Sequence, residues 1–169
     1  MKPSKILFAS CMFLTLLWVV AGCSRAGSTS DSQRKFTKED LAKLRWIEGT
    51  WRGSGAEQPA FFERYRFEDE NTLAVDSFPD EKLDKVDDTT RFVLKDGEFA
   101  NGGGSDGARW SASVIDDQGI TFEPLAKAKN TFRWERESPN TWKAILKWPA
   151  GDGKPERERI YKMERIPGK

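Results

Sequence analysis

The side chains available for chemistry in this chain are carboxylates, arginines, lysines and hydroxyls, because the sequence contains no histidine. Its two cysteines, Cys11 and Cys23, both lie near the amino terminus. Triads built on Ser-His-Asp or Cys-His, and zinc sites built on imidazole or thiolate, are therefore excluded from the rest of the chain. Paired carboxylates, Ser-Lys pairs and arginines that face an apolar interior remain. This set favours binding over catalysis and leaves enzymatic activity open.

The strongest candidate site is a set of aromatic and charged residues that alternate along predicted strands. Alternate residues of a strand share one face, and we expect this face to turn inward. The predicted ligand-binding residues are Phe61, Glu63, Tyr65, Phe132, Trp134, Trp148, Arg157 and Arg159. The alternative is a salt bridge between Glu63 and Arg157 or Arg159, inside a protein that binds nothing.

Two other segments carry suggestive residues without a matching spacing. Five carboxylates fall between residues 80 and 88, but their spacing matches no calcium loop. The glycine-rich residues 101–107 are not followed by a predicted helix, whose N-terminus would supply much of the field of a phosphate site. Both segments are predicted to be loops, and no metal site is predicted.

The elements that must position the candidate site are one short helix and about ten strands. Thr37 and Asp40 have the spacing of a capping box, which predicts a helix of about ten residues. After residue 50 the apolar period changes to two. Because a long meander avoids exposed edges by closing on itself, we predict an all-β fold, a single antiparallel up-and-down barrel capped by the N-terminal helix. The predicted strands span residues 50–57, 60–68, 72–78, 89–95, 98–101, 109–116, 120–125, 131–137, 141–148 and 156–166.

The amino-terminal residues predict export and lipid attachment. Lys2 and Lys5 precede an uncharged, mostly apolar run over residues 6–21, which is the pattern of a signal peptide. The run ends in Val-Ala-Gly followed by Cys23, which resembles the lipobox of bacterial lipoproteins. The resemblance implies cleavage before Cys23, acylation of its thiol and attachment to the lipid bilayer. Since the chain has Ser24 where aspartate marks inner-membrane retention in such lipoproteins, the expected location is the cell envelope, at the outer membrane and facing the periplasm.

Three segments follow from this reading. Residues 1–22 are the predicted signal peptide, and residues 23–36 are the lipidated cysteine and a flexible tether. The tether is rich in serine and has no apolar periodicity, which is typical of a linker. Residues 37–169 are the predicted barrel domain.

Residues 44–53 read Leu-Arg-Trp-Ile-Glu-Gly-Thr-Trp-Arg-Gly, with a Gly-x-Trp motif at Gly49 and Trp51 that opens the first strand. Between a short helix and a β-meander, this motif resembles that of the calycins, the superfamily of lipocalins and fatty-acid-binding proteins. The longer string, residues 44–53, resembles that of a bacterial branch of lipocalin-like proteins with the Gly-x-Trp motif. The resemblance implies a basic residue in the last strand that stacks on Trp51 and closes the barrel. Arg165 is the candidate, as a cation over an indole.

The same superfamily suggests what the interior holds. Fatty-acid-binding proteins hold a ligand carboxylate with an interior arginine, and a guanidinium fork matches a carboxylate, so we expect Arg157 and Arg159 to take this role. Counted along the strands, most of the candidate residues, Glu63 included, fall in the half of the barrel opposite Trp51. Nitrobindin, a haem barrel of similar shape, holds iron through histidine. Because this chain has none, haem is not expected, and no cofactor is predicted.

The balance of charge also limits the partners. Removal of Lys2 and Lys5 leaves 26 basic residues against 27 acidic ones, and this near-neutral surface argues against nucleic acid. The leading hypothesis is a lipid-anchored barrel that binds a small apolar or amphipathic ligand. The alternatives are a structural envelope lipoprotein with a filled barrel, and a carboxylate-dependent enzyme on the same fold. A cavity above about 300 Å³ separates the first from the second. No pattern identifies a protein partner.

Overall fold

The computed structural model describes residues 35–55, 57–102, 107–151 and 153–168, so the predicted signal peptide, Cys23 and most of the tether lie outside the described residues. No helix in the described part of the chain is long and apolar enough to cross a membrane. The elements are α1 (Lys38–Ala42), a 3-10 turn (Arg45–Ile47), β1 (Gly49–Gly55), β2 (Gln58–Phe67), β3 (Thr72–Phe78), β4 (Asp88–Lys95), β5 (Glu98–Asn101), β6 (Trp110–Asp116), β7 (Gly119–Pro124), β8 (Thr131–Ser138), β9 (Thr141–Trp148) and β10 (Arg157–Arg165).

The ten strands form one closed barrel. Each strand pairs antiparallel with its neighbour in sequence, and β10 pairs with β1 to complete the ring. The closing register sets Trp51 opposite Arg165 and Gly53 opposite Met163. Closure gives each of these strands a partner on both sides, which removes the edges that an open meander would expose. The predicted all-β, up-and-down barrel capped by a short helix is confirmed.

The helix is shorter than predicted and continues as a 3-10 turn. The capping box is present, since the Thr37 hydroxyl accepts from the Asp40 N–H and the Asp40 carboxylate accepts from the Thr37 N–H. Leu41, Leu44 and Ile47 are each 1% exposed. Their spacing of three residues suits the 3-10 geometry, in which residues three apart lie one above the other. The tighter turn therefore keeps all three side chains against the end of the barrel.

The packed domain begins before Thr37. Phe36, which the sequence analysis assigned to the tether, is buried in the core, and its N–H donates to the Gly97 carbonyl at 2.8 Å. This contact holds the start of the described chain against the β4–β5 turn. The chain therefore enters the barrel at the same end as α1.

Arg165 seals this end of the barrel, which we call the floor. Its guanidinium carbon lies 4.1 Å from the ring centroid of Trp51. Nη1 donates to the carbonyl of Glu48 at 2.6 Å, Nη2 to that of Trp46 at 3.0 Å, and Nε to that of Pro139 at 3.1 Å. Partial burial lowers the pKa of Arg165 from its ordinary value. One side chain thus joins β10 to the α1–β1 connection and to the β8–β9 turn.

Gly49 and Trp51 complete the floor. Gly49 has a φ of 129°, which side chains rarely adopt, and a Cβ there would collide with the guanidinium of Arg165. The Trp51 side chain is fully buried, and its indole N–H donates to the Ile47 carbonyl at 2.7 Å. Gly49, Trp51 and Arg165, which the sequence analysis expected to close the barrel, therefore contact one another in the structure.

One strand departs from simple alternation. Alternation along β6 would place Trp110, Ala112 and Val114 on the inner face, but Val114 is 42% exposed. The pairing of β6 with β7 shifts by one residue between Ala112 and Val114. Such a bulge reverses the faces of the residues that follow it. Ile115 is therefore the inward residue, and it is 2% exposed.

We predict that Arg165→Lys lowers the free energy of unfolding by about 2 kcal/mol, because a lysine cannot stack on Trp51 and also satisfy three carbonyl groups. Urea unfolding of the purified protein measures the change. Arg157→Lys, at an exposed position of the same strand, is the matched control and should change stability by less than about 0.5 kcal/mol. Equal stability of the two variants would show that the floor does not depend on Arg165.

Candidate functional site

The barrel interior contains a cavity of about 370 Å³. This volume lies within the range of ligand sites in proteins. It also exceeds the volume of about 300 Å³ that separates a binding barrel from a filled one. Ser77 and Thr90 lie in the halves of β3 and β4 away from the floor, and Asn130 lies in the β7–β8 connection. The complete lining is Phe61, Glu63, Tyr65, Val75, Ser77, Thr90, Phe92, Trp110, Asn130, Phe132, Trp134, Trp142, Ala144, Leu146, Tyr161 and Met163.

Trp142 forms the bottom of the cavity. It is fully buried, and its ring packs edge-on against four others. The ring centroids lie 5.9 Å from Trp51, 6.2 Å from Trp46, 5.5 Å from Tyr65 and 5.9 Å from Trp134. Such contacts stabilise a fixed arrangement of rings. The aromatic floor of the barrel is thus continuous with the base of the cavity.

The side walls are also aromatic. Phe132 stacks on Phe122 with centroids 4.5 Å apart, and Trp134 lies edge-on to Phe122 at 5.1 Å. Across the barrel, Phe61 and Tyr161 pack edge-on at 5.4 Å. The cavity therefore offers a ligand mostly flat carbon surfaces, whose positions are set by neighbouring rings.

Glu63 is the carboxylate among the described residues that line the cavity. It lies two positions before Tyr65 on the inward face of β2, so the two side chains are neighbours. The Tyr65 hydroxyl donates to Oε2 of Glu63 at 2.6 Å. Within the described part of the chain, neither oxygen of Glu63 has another hydrogen bond or a salt bridge.

The surroundings of Glu63 shift the titration of both groups. Glu63 is partly buried and lines the cavity together with aromatic side chains. Burial raises the pKa of Glu63, although the hydrogen bond from Tyr65 acts in the opposite direction. Burial, together with the charge of Glu63, raises the pKa of Tyr65 well above its ordinary value. The site is an isolated carboxylate in an apolar interior, which is costly unless a partner is supplied.

Glu63 lies nearer to the floor than predicted. Its Cα pairs with that of Trp51 on β1 and with that of Ser77 on β3, whereas the sequence analysis placed it in the opposite half of the barrel. Counting along each strand ignored the stagger between neighbouring strands that closure of a barrel requires. Glu63 therefore lies between the aromatic floor and the mouth, the barrel end opposite the floor.

Arg157 and Arg159 do not line the cavity, and neither does Trp148. The guanidinium carbons of Arg157 and Arg159 lie 4.5 Å and 5.7 Å, respectively, from the centroid of the Trp148 ring. Arg157 is exposed and Arg159 is partly exposed. In the described structure neither arginine forms a salt bridge with Glu63, so the alternative of an internal ion pair is contradicted. Among the described residues, the lining of the cavity includes no guanidinium that could pair with a ligand carboxylate.

Five of the eight predicted ligand-binding residues line the cavity: Phe61, Glu63, Tyr65, Phe132 and Trp134. Alternation predicts the inward positions of Val75, Ser77, Thr90 and Phe92 along β3 and β4, and of Trp142, Ala144 and Leu146 along β9. Asn130 has no such signal, because it lies in a connection. It reaches the site by accepting the Trp110 indole N–H on its carbonyl at 2.8 Å.

The described residues contain no group of three or more acidic side chains placed to hold a metal ion. A closed antiparallel barrel of ten strands with a short helix at one end fits a calycin-like fold.

Comparison with known proteins adds little to this description. Neither a scan against protein-family models nor a search of curated proteins found a match. Among solved structures, the chain is similar to EF1p2_mFAP2b, whose structure was determined bound to DFHBI. The two are 11% identical over 73% of this chain and 97% of that chain, with a TM-score of 0.37.

We predict that Glu63→Gln stabilises the protein at about pH 8 and that its advantage shrinks toward zero at about pH 4. Because burial raises the pKa of Glu63, the folded state retains a proton that the unfolded chain releases. The free energy of unfolding of the wild type therefore falls as pH rises from the ordinary carboxyl pKa to the raised one. The uncharged amide avoids this loss.

Melting temperatures across this pH range test the prediction, with Glu123→Gln on the exposed face of β7 as control. Burial and the charge of Glu63 hold the pKa of Tyr65 well above its ordinary value, so Tyr65 does not titrate in this range. Identical pH profiles for the wild type and Glu63→Gln would show that the carboxyl is not desolvated.

Proposed function

We propose that this protein is a lipid-anchored binding protein of the bacterial cell envelope, whose barrel holds one small, largely aromatic or apolar ligand. The observation that supports binding is the cavity of about 370 Å³, walled by rings and containing the Glu63 carboxylate, which has a hydrogen bond from Tyr65 but no cationic partner among the described residues. A barrel that served only as a scaffold would be more stable with this space filled, since cavities destabilise protein cores. A carboxylate buried without a counter-ion would add to that cost.

The dimensions of the cavity indicate a ligand of two or three rings. Burial of about 250 Å² of apolar ligand surface would contribute about 6 kcal/mol to the free energy of binding. Part of this is offset because the ligand loses translational and rotational freedom when it binds. Apolar contact alone therefore gives weak binding, and a polar contact is needed for micromolar affinity. Glu63 and Tyr65 are placed to make that contact at the base of the cavity.

The anchor is proposed from the sequence around Cys23. More than one acyl chain is needed for stable attachment to a bilayer, which agrees with the acylation that the lipobox implies. Lys35, the first described residue, lies at the floor end beside Gly97. An anchor before this residue would hold the barrel by its closed end and leave the mouth free to exchange ligand with the periplasm.

The cavity is tested with N-phenyl-1-naphthylamine, a neutral aromatic probe whose fluorescence rises in apolar surroundings. We expect the wild type to bind it and Ala144→Phe, which places a ring in the cavity, to weaken binding at least tenfold, which is about 1.4 kcal/mol. Ile145→Phe, on the outward face of the same strand, is the matched control and should bind normally. Circular dichroism checks that both variants are folded. No binding by the wild type, or equal binding by both variants, would contradict the proposal.

The anchor is tested by metabolic labelling with a palmitate analogue in a bacterial host. We expect the wild type to carry the label and to fractionate with membranes, and Cys23→Ser to lose the label. Cys11→Ser is the control, since Cys11 lies within the predicted signal peptide, and it should leave labelling unchanged. Label that persists in Cys23→Ser, or is absent from the wild type, would rule out lipidation at Cys23.

A further inference from the structure

The Trp142 indole N–H has no hydrogen-bond partner among the described residues, whereas Glu63 and Tyr65 limit in another way what a ligand can be. The Tyr65 hydroxyl uses its proton in the bond to Oε2 of Glu63, so its oxygen is left as an acceptor. Oε1 of Glu63 has no hydrogen bond among the described residues. The ionised pair therefore presents acceptors and no donor. A ligand that fits these two residues must bring the donors itself.

The charges around Glu63 also limit what the ligand can be. Trp51 and Ser77 face it from the neighbouring strands, and no described residue of the lining carries a positive charge. Arg165 pairs with Trp51 from β10, on the opposite side of β1 from Glu63, and its guanidinium donates to backbone carbonyls. Arg157 and Arg159 lie against Trp148, which is not part of the lining. The negative charge of Glu63 is therefore unbalanced within the cavity.

The walls suit a cation as well as a flat apolar body. The faces of aromatic rings attract an ammonium group, and this attraction strengthens where water is excluded. Tyr65, Trp134 and Trp142 pack edge-on around the base of the cavity with centroids 5.4 to 5.9 Å apart. A charged amine at Glu63 would thus be surrounded by rings, while the rest of the ligand packs against Phe61 and Phe132.

We infer that the ligand of this cavity is a small aromatic organic cation, an arylalkyl ammonium compound whose N–H groups donate to Glu63 and to the Tyr65 oxygen. The inference rests on the proposed binding function and reverses the charge of the ligand that the sequence analysis expected. An anionic ligand would meet Glu63 without a basic side chain to balance it. A neutral alcohol would make one of the hydrogen bonds without the charge.

The binding of such a cation is linked to protons. Burial raises the pKa of Glu63 in the empty barrel. A bound cation pairs with the ionised carboxylate and lowers this pKa again. Binding therefore releases a proton from those molecules in which Glu63 was protonated. Affinity for the amine should therefore rise with pH through the titration of Glu63, as long as the amine stays charged. Affinity for a neutral analogue should not follow this profile.

Three probes of the same ring and nearly the same size test the inference: 1-naphthylmethylamine, 1-naphthalenemethanol and 1-naphthoic acid, which at neutral pH are a cation, a neutral molecule and an anion. Isothermal titration calorimetry is done on the full lipidated chain in lipid nanodiscs, with empty nanodiscs as blank. We expect the amine to bind at least tenfold more tightly than the alcohol, and the acid more weakly than both. Titrations in two buffers of different ionisation enthalpy measure the released protons.

The variants assign the preference to Glu63. We expect Glu63→Gln to reduce the amine-to-alcohol affinity ratio to near one, Glu63→Asp to keep a ratio above one, and the exterior Glu123→Gln to keep the wild-type ratio. Binding of the acid at least as tightly as the amine, or an unchanged ratio in Glu63→Gln, would overturn the inference and leave the binding function standing. Failure of all three probes and of N-phenyl-1-naphthylamine to bind would overturn both.

Discussion

The structure depends on the contacts of Arg165 at the floor of the barrel. Its guanidinium satisfies carbonyl groups of Trp46, Glu48 and Pro139, which come from the connection after α1 and from the β8–β9 turn. The carbonyls of Trp46 and Glu48 are partly buried, and partly buried backbone groups need hydrogen-bond partners, which Arg165 supplies. The same group covers the ring of Trp51 at 4.1 Å. Closure of the sheet, attachment of the helix and exclusion of water from the floor therefore share one side chain.

The sealed floor determines the shape of the cavity above it. Gly53, one inward position above Trp51, has no side chain, and the ring of Phe61 occupies the space that a Cβ would need. Gly55 has a φ of 125° and lies at a shift in the β1–β2 register. The first glycine makes room for a ring and the second lets the strand bend. Trp142 then fills the centre of the floor, so the space that remains lies against Glu63, Tyr65 and the rings of β8.

The sequence predicted the fold more completely than the site. Ten strands with a period of two, a capping box at Thr37 and a Gly-x-Trp motif are local patterns, and the structure has the corresponding elements. Local patterns do not contain the stagger between strands, which is why the level of Glu63 was predicted wrongly. They also do not reveal a bulge such as the one before Val114, which reverses a strand's faces without any change of composition. The side-chain directions of Arg157 and Arg159 depend on their stacking against Trp148, an interaction that alternation cannot show.

The arginines of this barrel explain why the cavity is acidic. Three of them share one face of β10 by alternation, and a calycin resemblance gives such residues to a ligand carboxylate. In the structure Arg165 is used at the floor, while Arg157 and Arg159 pack on Trp148 at the other end of the strand. Between them the inward positions of β10 are Tyr161 and Met163, which carry no positive charge. Glu63 is thus left as the charged group of the lining, at a cost in stability that the protein would not bear in a filled barrel. A buried carboxylate kept without a counterion among rings is a site that a cation would complete.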